Sequence, residues 1–209
     1  MLNATATILA ATLAASTAAD AAPRRDQVHV QAQTGLAARE ALRVDEVDAE
    51  RRAVQLGPGA GGVALAMGYM LRGHSEVGSR LELSRLTVDS GDTDLQRGHA
   101  RLAGTYTYHF RTRAPVHLAA TGMFGLERTS YDGDALARGP FVGIAGNAHW
   151  FVTPRLSVNT GGEATRSLGG RYEQGGMDGS SRFAASEVAA VAGLNFYLGA
   201  KHTKGVRRR

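Results

Sequence analysis

Six charged side chains lie in segments whose neighbours alternate between apolar and polar: Arg80, Glu82, Arg101, Glu127, Glu163 and Glu187. Acids and bases gathered away from water must pair, because an isolated buried charge is costly. Three other groupings have the residue types of a binding or reactive site. Gly57–Gly62 reads G-P-G-A-G-G and fits the G-x-G-x-x-G spacing of a phosphate-cradling turn. Pro58 sits inside it, however, and the residues that follow alternate with a period of two, so the segment reads as a loop closing onto a strand. Asp89, Asp92 and Asp94 place three carboxylates in one loop. Without the spacing and terminal Glu of an EF-hand they read as a solvated turn, with weak surface Ca²⁺ binding as the alternative. A lipid-directed serine hydrolase built on a strand wants His and Ser on one face, two residues apart. Here His109 is followed by Arg111, His117 by Ala119 and His149 by Phe151. A serine from a neighbouring strand is the remaining route to such an enzyme. The histidines otherwise read as scattered polar fillers, and no catalytic residue, cofactor or metal site is assigned.

The elements that must position these charges repeat every two residues. In Arg101–Arg111, Leu102, Gly104, Tyr106, Tyr108 and Phe110 share one face, and Arg101, Ala103, Thr105, Thr107, His109 and Arg111 share the other. Successive side chains of a strand point to opposite faces, so this segment has one apolar and one polar side. The pattern recurs in Gln27–Leu36, Gly62–Arg72, Val77–Ser84, Val116–Glu127, Pro140–Val152, Leu156–Thr165 and Ala184–Leu198. That predicts about eight antiparallel strands, many near the 9–11 residues of a tilted bilayer-spanning strand. The connections alternate in length. Gly73-His74-Ser75, Thr112-Arg113-Ala114 and Thr153-Pro154 are short, while Asp89–Gln96, Ser130–Gly139 and Gly169–Ser181 are long. The charged segment Ala37–Gln55 is placed in the first outer loop, with a helix, a short plug or a disordered stretch as alternatives.

Composition agrees with many strands and tight turns: 27 glycines, 5 prolines and no cysteine in 209 residues. Lysine is absent before Lys201, and the basic residues Lys201, Lys204, Arg207, Arg208 and Arg209 account for the formal net charge of +5. Nucleic-acid binding by the folded part is therefore not indicated. The tail, residues 201–209, is solvated or touches headgroups or an acidic cell-wall polymer. At the other end, the uncharged small and apolar run Ala4–Ala19 leads into the A-x-A pattern Ala19-Asp20-Ala21. Residues 1–21 thus read as a signal peptide, followed by a barrel over residues 22–200.

Alternation alone does not say which face points inward. Polar faces rich in Gly, Ala, Ser and Thr, without lysine, favour a lipid-facing apolar side. Aromatics near the short turns point the same way. Tyr69, Tyr106, Tyr108, Trp150, Phe196 and Tyr197 are expected to form an interfacial girdle. Gly193–Leu198, G-L-N-F-Y-L, resembles the terminal-strand signal read by the outer-membrane barrel assembly machinery. Gly193, Phe196 and Leu198 fit it and Val191 departs from it. From Gln27 to Leu198 the chain is similar to the small eight-stranded outer-membrane barrels of the OmpA and OmpX kind. The resemblance implies an all-β, up-and-down antiparallel barrel in a bacterial outer membrane, with outer-membrane lipids and the assembly machinery as partners and no cofactor. The expected role is structural, anchoring or surface contact. A narrow pore for small solutes and a lipid-modifying enzyme are the alternatives. In this register Arg80, Glu82, Arg101, Glu127, Glu163 and Glu187 point into the lumen, with Arg101 paired to Glu127, Glu82 or both.

Overall fold

A computed structural model describes residues 26–44, 49–72, 74–89, 94–110, 116–131, 135–174 and 181–199. The expected signal peptide and basic tail lie outside the described residues, as does the turn at residues 112–114. Ten strands follow one another along the chain. They are β1 (Val28–Val44), β2 (Ala49–Leu56), β3 (Val63–Arg72), β4 (Ser75–Asp89) and β5 (Asp94–Phe110). Then come β6 (Val116–Tyr131), β7 (Ala135–Thr153), β8 (Leu156–Ser167), β9 (Gly170–Gln174) and β10 (Ser181–Leu198). All neighbouring pairs are antiparallel, and β1 closes the sheet on β10 from Val28↔Leu198 to Val44↔Phe183.

The wall has eight staves, because two of them are broken. β3 pairs with the lower half of β1 (Val28↔Tyr69 to Thr34↔Val63), and β2 pairs with its upper half (Ala37↔Leu56 to Val44↔Ala49). β8 and β9 likewise share β7 and β10 as neighbours. The break between β2 and β3 is the glycine-rich segment, where Gly57, Gly59, Gly61 and Gly62 all have positive φ. It folds onto β1 at Gly35, whose N–H donates to Gly62 O (3.0 Å) and whose carbonyl accepts from Gly59 N–H (2.9 Å). A Cβ at Gly35 would meet Ala60 O at 1.5 Å, so only glycine admits this approach. The segment is thus a strand-to-strand junction.

Two expectations about element boundaries are corrected. The described residues of Ala37–Gln55 are strand rather than outer loop, helix or plug: β1 continues to Val44 and β2 returns beside it from Ala49. The described residues of the long connections at Asp89–Gln96, Ser130–Gly139 and Gly169–Ser181 are strand, Gly169 apart. β4 runs to Asp89, β5 begins at Asp94, β6 reaches Tyr131 and β7 begins at Ala135. At about 3.3 Å per residue and a tilt near 40°, a strand of 17 residues such as β5 rises roughly 40 Å. That exceeds the apolar band of about 25 Å, so the sheet continues past it as polar, hydrogen-bonded wall.

Burial is inverted relative to a water-soluble barrel. Leu65, Leu102, Phe124, Leu126, Ile144 and Val188 stand on the outside, with Ile144 69% exposed, while Arg101, Glu82, Glu127 and Asn195 are buried inside. Scattered exposed apolar residues are ordinary, but a continuous apolar exterior around a polar interior requires lipid as the outer solvent.

Candidate functional site

The lumen concentrates buried polar chemistry, and register explains why. Glu82 on β4, Arg101 on β5 and Glu127 on β6 are direct cross-strand neighbours on the inner face. Arg101 donates to Glu127 from Nε (3.3 Å) and to Glu82 and Glu187 from Nη1 (3.2 and 2.9 Å). Arg80 bridges Glu82 (3.2 Å) and Glu163 (2.8 Å). All six sequence-selected charges thus meet in one network, each at most 9% exposed. Ser167 donates to Glu127, and the Phe141 ring lies 5.3 Å from the Arg101 guanidinium carbon. Around the wall, β5 and β10 are four staves apart, and so are β4 and β8. Arg101–Glu187 and Arg80–Glu163 therefore each cross the full bore of the barrel.

Glu40 and Arg97 form a further inward pair that the sequence reading missed. A β-bulge between Gly35 and Ala37 reverses the parity of β1, so Ala38 and Glu40 face inward after it, whereas His29, Gln31 and Gln33 do so before it.

A second polar tier fills the short-turn end. His29 Nδ1 donates to Glu76 Oε1 (2.9 Å), and His109 Nε2 to Glu76 Oε2 (3.1 Å). Asn195 donates to Asn159 Oδ1 (3.1 Å) and Ser157 Oγ (3.1 Å) and lies 3.3 Å from His149 Nδ1. The expectation of scattered histidines is corrected here, since His29, His109 and His149 converge from β1, β5 and β7. Among the described residues no group of three or more His, Cys, Asp or Glu is disposed to hold a metal ion. His149 and Ser157 both bond to Asn195, and among the described residues no hydrogen bond joins a histidine to a serine. A cavity of about 30 Å³ separates the two tiers, bordered by Arg80, Glu76, His109 and Asn147. That is room for a water or two.

Of the expected girdle, Tyr69, Tyr106, Tyr108, Trp150 and Phe196 face outward near the short-turn end. Tyr69 donates to Asp26 Oδ1 (2.9 Å), and the Tyr106 hydroxyl lies 3.1 Å from Ser75 Oγ. Tyr197 does not belong to the girdle. It is 1% exposed, stacked on His29 at 4.8 Å and packed against Phe151 inside the lumen. Phe196 and Tyr197 are consecutive, so only one of them can face lipid.

No family model and no curated protein matches the chain. Solved structures do. Neisserial surface protein A is 16% identical, aligns over 81% of this chain and 96% of its own, and gives a TM-score of 0.53. The outer membrane protein AlkL, determined in lipid bilayers, is 9% identical, with 88% and 95% covered and a TM-score of 0.52. The fold is that of a small outer-membrane β-barrel.

Proposed function

We propose that this chain is a closed outer-membrane barrel with a structural, anchoring or surface-contact role, and that its lumen does not carry solutes. Outer-membrane lipids are the partner of its apolar exterior. The observation that carries the reading is the pair of ionic bridges across the bore, Arg101–Glu187 and Arg80–Glu163. In an eight-stranded barrel the interior is just wide enough for side chains to fill. Passage of a solute would require both bridges to open, leaving charges unpaired in a narrow space. The inward, mutually unbonded positions of His149 and Ser157 speak against a lipid-directed hydrolase, because neither reaches the lipid-facing wall. Planar-bilayer recording with the purified full chain tests the proposal. The expected trace has no stepwise conductance, and reproducible single-channel steps from the unaltered protein would overturn it.

A further inference from the structure

The outer wall carries a charge pattern that the closed lumen does not explain. Arg128 on β6 is the direct cross-strand partner of Arg138 on β7, Arg138 of Arg171 on β9, and Arg171 of Arg182 on β10. All four are exposed on the outside of the barrel. Strands lie about 4.8 Å apart, so four guanidinium groups occupy roughly 14 Å of wall. Like charges placed directly opposite one another on a sheet repel. One carboxylate relieves this row: Glu173 accepts from Arg138 at 2.9 Å. Among the described residues Arg128, Arg171 and Arg182 have no carboxylate partner.

Position points to the class of anion that the row would meet. On β6 the outward residues run Leu118, Phe124, Leu126 and then Arg128, so the row begins where the apolar wall ends. It lies toward the loops, whereas the opposite edge carries Tyr69, Tyr106 and Trp150. These side chains project sideways from the wall rather than upward from loop tips. They therefore enter the layer that the surrounding headgroups occupy. Arginine presents a planar fork that matches phosphate in a bidentate manner, and a fixed row of such forks suits clustered phosphates.

We infer that Arg128, Arg138, Arg171 and Arg182 form a binding site for the phosphorylated headgroup of an outer-leaflet glycolipid. The inference rests on the membrane placement proposed above. Glu173 competes for Arg138 and tunes the site.

The test uses the full chain reconstituted into phosphatidylcholine vesicles containing either a bisphosphorylated lipid A or its dephosphorylated form. The readout is glycolipid retained after detergent extraction and purification, and heat-modifiable migration independently reports a folded, inserted barrel. The unaltered protein should retain the phosphorylated form over the dephosphorylated one by more than about tenfold, given about fivefold per basic residue near an anionic surface. R128Q/R138Q/R171Q/R182Q should abolish the preference, and Glu173→Gln should strengthen it. Equal retention of both glycolipids by an inserted barrel would overturn the site, as would an unaltered preference in the quadruple variant. If the quadruple variant fails to fold, a Glu173→Gln variant without stronger retention overturns the site on its own. Preference for a soluble sulfated glycan over the vesicle glycolipid would also overturn it. Absence of the heat-modifiable form in the unaltered protein would instead bring down the membrane placement.

Discussion

Arg101→Ala removes one guanidinium from three carboxylates, and the structure ranks what each would suffer. Glu82 keeps Arg80 at 3.2 Å, and Glu127 keeps the Ser167 hydroxyl. Among the described residues Glu187 has no other ion-pair partner than Arg101. Breaking a buried pair by truncating one member typically costs about 3–5 kcal/mol, whereas removing the whole pair is far milder. Arg101→Ala should therefore lower the unfolding free energy by about 3–5 kcal/mol. Adding Glu187→Ala should recover about 2 kcal/mol of that loss, and adding Glu127→Ala should recover less, within the range found for directly interacting residues. The assay is urea unfolding of the refolded barrel, followed by its heat-modifiable migration, through a double-mutant cycle for each carboxylate. Additive effects in both cycles would show that Arg101 meets neither carboxylate and would refute the ion-paired lumen.

Two further outcomes follow from the faces assigned to aromatic residues. Trp150, on the outer wall directly opposite Val116 on one neighbouring strand and Val158 on the other, near the short turn, should be quenched best by lipids brominated close to the headgroup; strongest quenching at the bilayer centre would contradict its register. Tyr197→Ala should destabilise by about 3–5 kcal/mol, as truncation of a fully buried aromatic does, and Tyr108→Ala on the lipid side by less than about half of that; equal losses in denaturant melts would place the two rings in similar surroundings.

Much of the barrel is legible in the sequence because a strand's parity is a local property. Leu102, Tyr106 and Phe110 share a face whatever their partners are, and the inward direction of Arg101 follows from the same count. Parity also held the correction for Tyr197, since its neighbour Phe196 already faced the lipid. Glu40 was hidden because Ala37–Gln55 reads as a loop, and the bulge at Gly35 would shift a count carried past it by one. The strands beyond the apolar band read as loops because, without lipid on one side, nothing forces apolar residues to alternate there. Residues such as Asp89 and Asp94 can pair in a ladder and still look like a turn. The cluster of His29, Glu76, His109 and His149 joins four strands, and the convergence depends on register accumulated around the barrel, which no single segment encodes.

The central claim is that the apolar face meets lipid and the charged face is enclosed, and the absence of native cysteine allows a clean test. Single cysteines introduced along β5 in place of Leu102, Ala103, Thr105 and Tyr106, each carrying a nitroxide in the reconstituted barrel, report collision with membrane-dissolved oxygen and with a water-soluble nickel chelate. Positions 102 and 106 should show high oxygen and low nickel collision, with positions 103 and 105 low in oxygen, a period of two in phase with the outward side chains. Oxygen collision highest at positions 103 and 105, or nickel reaching positions 102 and 106 as in water, would contradict the account.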